Sequence, residues 1–161
     1  MDKRGVIKAV LSELERQKSE LESGLASAKQ TALEAPGAMQ SHSDTTKSQM
    51  HTLAANIEEI IKEKEIAIRY LDNSLNGGPD KNEVIKEGAF IEVRDENNKK
   101  KFYLLVPDGG AGVIVKVGEI SVTSLTAKTP LGSALAGKKI GDTVAFQNKT
   151  GNRNLKVLNV Y

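Results

Sequence analysis

The sequence predicts an α+β protein, in which an antiparallel helical hairpin precedes a small antiparallel β domain with one short helix. Residues 1–76 are rich in Ala, Leu, Glu and Lys and carry apolar side chains at helical spacing. Residues 84–161 are rich in Val and Ile and are punctuated by Gly. A cluster of helix stoppers and turn formers lies between them. We therefore expect a hairpin domain at 1–76, a linker at 77–83 and a β domain at 84–161.

Two apolar stripes predict the two helices of the hairpin. Their members alternate steps of about four and three residues, as the seam of a coiled coil does. The first stripe is Ile7, Leu11, Leu14, Lys18, Leu21, Leu25, Ala28 and Ala32. The second is Met50, Leu53, Ile57, Ile60, Lys64, Ala67 and Leu71, and it is widened by Ile61, Ile68 and Leu75. The wider face indicates that the lower half of the second helix has another contact besides its partner.

The break between the stripes contains Pro36, which cannot continue a helix, and Gly37, which suits a turn. Two long helices with a short break fold back as an antiparallel hairpin. The residue numbers of two facing positions then add up to the same value along the whole hairpin. The pairing of Ile7 with Leu71 gives 78, and we call this pairing the 78 register. This register predicts a tip centred at Met39. Each helix of roughly 30 residues reaches about 45 Å.

Lys18 and Lys64 interrupt the apolar seam in adjacent layers. One interpretation is snorkelling, in which the stems pack and the ammonium groups reach water or nearby Glu. The other is a polar layer that sets the register of the helices. Snorkelling is the favoured interpretation.

Alternating apolar residues predict the strands of the β domain. The expected strands are 89–94, 101–106, 113–117, 120–124, 143–147 and 154–160. A short helix is expected at 130–136, with Thr129 as its N-cap, Pro130 in its first turn and Gly137 at its end.

Composition excludes several functions. The 23 basic and 21 acidic residues give a net charge of +2, too balanced for an electrostatic surface that binds naked nucleic acid. With no Cys, a zinc–thiolate site or a thiol nucleophile is excluded. The N-terminus does not read as a secretory signal, and no run of about 18 apolar residues occurs. We expect a cytoplasmic protein that does not enter a membrane, and a monomer.

A recognisable motif lies in the second half of the chain. It comprises Ile120-Ser121-Val122-Thr123-Ser124, then Thr129-Pro130-Leu131-Gly132-Ser133-Ala134-Leu135-Ala136-Gly137-Lys138-Lys139-Ile140-Gly141-Asp142-Thr143-Val144. It resembles the C-terminal signature of the Gre transcript-cleavage factors: Ser/Thr-Pro, a short Ala/Leu helix, Gly-Lys-Lys, an aliphatic residue, then Gly-Asp and a strand. The order of hairpin and globular domain also matches, so the resemblance covers nearly the whole chain.

The resemblance implies an FKBP-like head that binds the rim of the secondary channel of bacterial RNA polymerase, and a hairpin that enters the channel. It implies a modulator of elongation that is not itself an enzyme and that at most stimulates the polymerase's own RNA cleavage. Thr129, Pro130 and Leu131 are the expected contact with the polymerase, although Thr129 and Pro130 would also serve simply to start a helix. The segment from Lys138 to Asp142 is expected to shape a loop.

The hairpin tip departs from the family pattern. Members that cleave transcripts carry two acids in a stretch resembling Asp-Leu-x-Glu-Asn, which help to hold a second magnesium ion in the polymerase. Here the stretch reads Thr31-Ala32-Leu33-Glu34-Ala35-Pro36-Gly37. Glu34 and Asp44 remain, and the 78 register places them opposite each other, where they would share Mg²⁺ with the polymerase. Alternatively, Asp44 is the N-cap of the second helix and Glu34 is solvated.

Basic residues near the tip have two interpretations. Lys29 and Lys47 would contact RNA phosphate at the 3′ end inside the polymerase, or they are solvated. His42 and His51 do not have the spacing of a metal-binding pair and are expected to be exposed. The chain is expected to hold no cofactor of its own.

Other functions remain open. The chain would inhibit the polymerase, or compete with cleavage factors in the same channel, if its tip lacks working acids. An adaptor protein whose helices are exchanged between two chains would satisfy the same seam. A prolyl isomerase is disfavoured, because Phe90, Phe102, Tyr103 and Phe146 are too few to line an aromatic pocket and also to build a core.

Overall fold

The structure is a computed structural model that describes residues 2–34, 41–76, 84–148 and 151–161, with the side chains of 41–46, 148 and 152 left aside. The predicted tip at Met39 and the whole predicted linker at 77–83 lie outside these ranges. Nine elements follow one another within the described residues. They are α1 (Lys3–Glu34), α2 (Ser41–Asn76), β1 (Phe90–Asp95), β2 (Lys100–Leu105), β3 (Ile114–Val117), β4 (Ile120–Leu125), α3 (Pro130–Leu135), β5 (Thr143–Asn148) and β6 (Gly151–Val160).

The six strands form one sheet in the order β3-β4-β2-β1-β6-β5. Every neighbouring pair is antiparallel except β2 and β4, which are parallel. The predicted strands differ from these at their ends by three residues at most. The predicted class, a helical hairpin followed by a mainly antiparallel sheet with one short helix, is therefore confirmed. None of the described helices is long and apolar enough to span a membrane.

The hairpin base is built into the core of the sheet domain. One continuous apolar cluster joins the two helices to one face of the sheet. Its buried members are Val6, Ile7, Val10 and Leu14 from α1, Ala67 and Leu71 from α2, and Phe90, Leu104, Val106, Val113 and Val122 from the sheet domain. The expected second contact for the lower half of α2 is therefore confirmed, and the contact is the sheet.

The opposite face of the sheet carries a second apolar cluster. It is built from buried residues of β1, β2, β5 and β6, together with Leu135 of α3. The backbone NH of Ile85 donates to Lys138 O at 2.8 Å, and the NH of Gly137 donates to Ile85 O at 2.8 Å. The segment that leads into β1 is thus tied to the end of α3, which fixes this helix against the second face.

The predicted seam is confirmed on α1 and only in part on α2. Every member of the first stripe is buried or half-buried. On α2, Leu53 and Ile60 were predicted to face α1 but are 44% and 43% exposed. Their neighbours Ala54 and Ile61 are buried instead, at 6% and 8%. The tip half of α2 is therefore turned by about one residue, or about 100°.

The predicted 78 register is also wrong. It pairs Lys18 with Ile60, but the ammonium group of Lys18 lies 2.8 Å from the carboxylate of Glu65. It pairs Lys64 with Leu14, but Lys64 donates to the side-chain carbonyl of Gln17 at 2.9 Å. Both displacements run in the same direction along the rod and amount to about one helical turn. Adjacent apolar rows on α2 offered two seams, and the sequence pattern alone did not distinguish them.

The two lysines of the seam behave differently. Lys18 reaches across to Glu65, and this hydrogen bond raises the pKa of Lys18, which fits snorkelling. Lys64 is half-buried, and desolvation lowers its pKa. Its ammonium group donates to Gln17 and lies 3.5 Å from the carbonyl oxygen of Gly109. Lys64 therefore joins both helices to a loop of the sheet domain, an arrangement that neither interpretation predicted.

Candidate functional site

The turn before α3 presents the predicted partner-binding residues in a fixed geometry. The hydroxyl of Thr129 donates to Thr126 O at 2.8 Å and accepts from the NH of Gly132 at 3.0 Å. Pro130 follows as the first residue of the helix. Thr129 is thus the N-cap, as predicted. Pro130 is exposed, while Thr129 and Leu131 are half-buried.

Gly132 makes this turn possible, a role that no local sequence pattern indicates. A Cβ atom at this position would lie 2.0 Å from Thr126 O and 2.8 Å from the Thr129 hydroxyl oxygen. Any side chain would therefore separate the cap from the carbonyl that receives it. The result is a tight, hydrogen-bonded turn with Pro130 exposed on its surface.

The segment from Lys138 to Asp142 forms a turn, as expected. The carboxylate of Asp142 accepts from the NH of Lys139 at 2.9 Å. The NH of Gly141 donates to Val157 O at 2.9 Å, and Gly141 has a φ of +94°. Lys138 and Lys139 are exposed. These contacts tie the turn to β6.

An ion pair beside the Thr-Pro turn escaped the sequence analysis. The ammonium nitrogen of Lys128 lies 2.7 Å from the carboxylate of Asp108. This hydrogen bond raises the pKa of Lys128, with a smaller contribution from the charge of Glu63 on α2. Asp108 immediately precedes Gly109, whose carbonyl oxygen lies near Lys64 of the hairpin. This loop therefore connects the Thr-Pro turn to the hairpin. The two acids are far from Lys128 in sequence, and no local pattern marks the pair.

The described part of the hairpin tip carries one of the two predicted acids. Glu34 is exposed, and its carboxylate accepts from the amide of Gln30 at 2.7 Å. α2 begins at Ser41, so Asp44 lies inside the helix rather than at its N-cap. The side chain of Asp44 lies outside the described set. The prediction that Glu34 and Asp44 face each other depended on the 78 register. Because that register is wrong, it no longer supports this prediction.

A magnesium ion needs several oxygen ligands around it. The described parts of the chain contain no group of three or more His, Asp or Glu able to hold a metal ion. Glu34 alone can supply one ligand to an ion that is held by other groups, but it cannot hold the ion itself. A shared Mg²⁺ therefore stays a prediction.

The basic residues near the tip differ in their surroundings. Lys29 forms an ion pair with Glu58 across the hairpin at 2.6 Å, which lowers the pKa of Glu58. Lys47 is exposed near the start of α2. His51 is also exposed, as expected, and lines a shallow groove with Leu33, whose side chain is 84% exposed. Contact of Lys29 with RNA phosphate would compete with its ion pair, whereas Lys47 faces solvent.

The four aromatic residues Phe90, Phe102, Tyr103 and Phe146 lie in different surroundings. Phe90 stacks on Phe102 and Tyr161, at centroid distances of 6.2 Å and 5.5 Å, on the face that carries the hairpin. Tyr103 and Phe146 line a cavity of about 360 Å³ on another part of the sheet domain. The rest of its lining is mostly charged or polar. This differs from the apolar, aromatic-lined kind of pocket expected for a prolyl isomerase.

The fold and these surfaces define a class of two-part proteins, in which a helical hairpin projects from a small β-rich head. Residues 80–161 match the family model described as transcription elongation factor, GreA/GreB, C-terminal. The match covers just over half of the chain. The protein therefore belongs to the GreA/GreB family of transcription elongation factors, as the motif at 120–144 predicted.

Several relatives carry the name transcription elongation factor GreA. The chain is 37% identical to that of Acidiphilium cryptum over 107 residues, which cover 66% of this chain and 59% of the relative. It is 32% identical to that of Streptococcus pneumoniae serotype 4 over 108 residues, which cover 66% of this chain and 62% of the relative. This chain thus matches about three fifths of the length of these relatives.

Among solved structures, the chain is similar to GreA factor homolog 1 of Thermus thermophilus. The identity is 21%, the coverage is 96% of each chain and the TM-score is 0.40. It is also similar to a prokaryotic elongation factor GreA/GreB of Nitrosomonas europaea. There the identity is 19%, the coverage is 58% of this chain and 78% of the other, and the TM-score is 0.39.

Proposed function

We propose that this protein binds bacterial RNA polymerase as an elongation factor of Gre type. The head docks at the rim of the secondary channel through Thr129, Pro130 and Leu131, and the hairpin enters the channel and modulates elongation. The observation that carries the proposal is a stiff hairpin built into the core of a head that also presents a rigid surface turn. Family membership supplies the class of partner.

The dimensions of the hairpin support this role. Its helices have 32 and 36 residues, which correspond to about 48 Å and about 54 Å. Access to a buried active centre needs a rod of this order that keeps its direction. Ion pairs between the helices, Lys18 with Glu65 and Lys29 with Glu58, link the rod along its length.

Docking is tested by co-purification with core polymerase. We expect Pro130→Ala to weaken the complex while the head stays folded, because Pro130 is exposed at the start of α3. Ser133→Ala is the matched control, since Ser133 is exposed on the same short helix. Equal binding by the parent, Pro130→Ala and Ser133→Ala contradicts the docking proposal.

A second candidate function is inhibition at the same channel without cleavage. It is favoured by the tip sequence, where Ala32 and Ala35 or Pro36 stand in place of the acids of the cleaving pattern. A stalled elongation complex with magnesium separates the two functions. Shortened RNA supports stimulated cleavage, and intact RNA with slowed synthesis supports inhibition.

The role of the remaining acids is tested in the same assay. If the RNA is shortened, Glu34→Ala and Asp44→Ala should each abolish the shortening, because each removes one oxygen ligand from a shared Mg²⁺. Glu59→Ala is the control, since Glu59 is an exposed acid on α2. Shortening that persists in both tip variants rules out the metal proposal.

A further inference from the structure

The loop between β2 and β3 touches α2 at the tip-side end of the apolar base. Gly109 has a φ of +85°, and a Cβ atom there would lie 2.3 Å from the backbone carbonyl carbon of Glu63 and 2.7 Å from the backbone nitrogen of Lys64. At the adjacent Gly110, a Cβ atom would lie 3.1 Å from the Cβ of Ala67. The loop backbone therefore rests directly on the backbone of α2, with no side chain between them.

A polar contact adds to this backbone contact. The ammonium group of Lys64 donates to Gln17 of α1 at 2.9 Å and lies 3.5 Å from the carbonyl oxygen of Gly109. Lys64 is half-buried, so its charge is poorly hydrated and the neutral oxygens around it replace water. α1, α2 and the head loop thus meet at one ammonium group.

The loop itself is held firmly on the sheet. Ser124 of β4 is fully buried, and its hydroxyl donates to Gly110 O at 2.5 Å and accepts from the NH of Val113 at 2.9 Å. Asp108 pairs with Lys128, which immediately precedes the Thr-Pro turn. The loop is therefore held by the sheet through Ser124 and by Lys128 through Asp108, and its contact with α2 couples the position of the head to that of the hairpin.

We infer that Gly109 and Lys64 are positioning residues that set the direction of the hairpin relative to the docking turn. We name the contact of Gly109 with Glu63 and Lys64 the brace. The apolar base around Leu71 acts as the first point of support, and the brace acts as the second. The brace adjoins this base through Ala67 and extends the contact along α2 toward the tip by about one helical turn, which restrains rocking of the hairpin. Only the consequence inside the polymerase rests on the proposed function.

The size of the effect follows from leverage. The brace lies seven residues from Leu71, or about 10 Å, and the start of α2 at Ser41 lies thirty residues away, or about 45 Å. A Cβ at Gly109 would lie 2.3 Å from the carbonyl carbon of Glu63, so it must retreat by more than about 1 Å to reach an ordinary carbon–carbon separation. The same rotation moves the tip end of α2 by at least about 4 Å, since displacement grows with distance from Leu71.

Gly109→Ala tests the brace, and Gly112→Ala is its matched control. Gly112 lies in the same loop with a φ of +81°, so it shares the backbone strain, but a Cβ there meets nothing within 4 Å. Because the chain has no Cys, spin labels can be placed uniquely. Ser48→Cys near the tip is combined in turn with Lys156→Cys and with Ser121→Cys on the head, all exposed sites.

Pulsed dipolar spectroscopy on the free protein then measures the label distances. We expect Gly109→Ala to shift the mean distance of at least one label pair by about 3 Å, because Ser48 lies closer to Leu71 than the start of α2 does. Gly112→Ala should leave both label distances unchanged. If neither pair moves in folded Gly109→Ala, or both variants move the labels equally, the inference is overturned. Should Gly109→Ala not fold, the double variant Gln17→Leu/Lys64→Met decides. A broader distribution supports the brace, and an unchanged one overturns it.

The consequence for the polymerase is measured separately. A folded Gly109→Ala protein should still co-purify with the polymerase, because the Thr-Pro turn is intact, but should lose most of its effect on RNA synthesis. A variant that shifts the labels and keeps full effect overturns the positioning role. If the parent does not bind the polymerase at all, the proposed function fails, while the distance measurements still decide the brace.

Discussion

Lys18 of α1 and Glu65 of α2 form an ion pair across the hairpin, with 2.8 Å between the ammonium nitrogen and a carboxylate oxygen. Both side chains are partly shielded, at 27% and 36% exposure. The pair lies in the middle of the rod, between the shared core at the base and the tip. It therefore reports on the pairing of the two helices independently of the head.

The Lys18–Glu65 pair predicts acid sensitivity of the hairpin. The hydrogen bond from Lys18, and then its charge, lower the pKa of Glu65 from its usual value of 4.5. A carboxyl group with a lowered folded-state pKa adds stability above its unfolded pKa and loses it as pH falls through the folded value. Glu65→Gln should therefore flatten the loss of helix stability between about pH 5 and pH 3.

Urea unfolding followed by circular dichroism at several pH values measures this effect. Glu59→Gln is the control, because Glu59 is exposed on the same helix. High salt should weaken the difference between the parent and Glu65→Gln, since exposed ion pairs are screened. An equal pH profile for the parent and Glu65→Gln would show that the pair does not stabilise the hairpin.

The shared core predicts that hairpin and head unfold together. Leu71 is fully buried between the helices and the sheet, so Leu71→Ala should cost about 2–5 kcal/mol of unfolding free energy. Ile66→Ala on the same helix should change it by less than about 0.5 kcal/mol, because Ile66 is 61% exposed. Urea unfolding measured by circular dichroism and by tyrosine fluorescence should give one coincident transition. Two separated transitions would contradict a common core.

Local patterns predicted most of the elements correctly. Thr129, Pro130 and Gly137 mark the ends of α3 through their own backbone preferences, so the helix was predicted within one residue. Apolar residues located the strands, because successive side chains of a strand point to opposite faces of the sheet. The stripe on α1 was also correct, because beyond Val10 its neighbouring rows are mostly polar. Val6 and Val10, which the predicted stripe left out, are buried in the core at the base.

Contacts between distant segments were not predictable in this way. The choice between Ile60 and Ile61 depends on how α2 packs on α1, and both residues fit a helical stripe. The brace at Gly109 and the pair of Asp108 with Lys128 join segments far apart in sequence. A glycine in a loop predicts a turn, but its close approach to α2 depends on the whole fold.

The observed seam of α2 gives a direct mutational test. Ile61 is 8% exposed and Ile60 is 43% exposed, so Ile61→Ala should cost at least about 2 kcal/mol and Ile60→Ala less than about 1 kcal/mol. The two substitutions remove the same atoms from adjacent positions, so helix propensity cancels in the comparison. Urea unfolding of both variants measures the difference. The opposite order would favour the seam and register that the sequence pattern predicted.

The cap of α3 predicts separate effects of the Thr129 hydroxyl on folding and on binding. Thr129→Ala removes both hydrogen bonds and should lower the unfolding free energy by about 1 kcal/mol. Thr129→Ser keeps the hydroxyl and should retain most of the stability. If the turn docks on the polymerase, Thr129→Ala should weaken co-purification and Thr129→Ser should restore it. Stability loss in both variants would indicate that the methyl group, and not the hydroxyl, holds the turn.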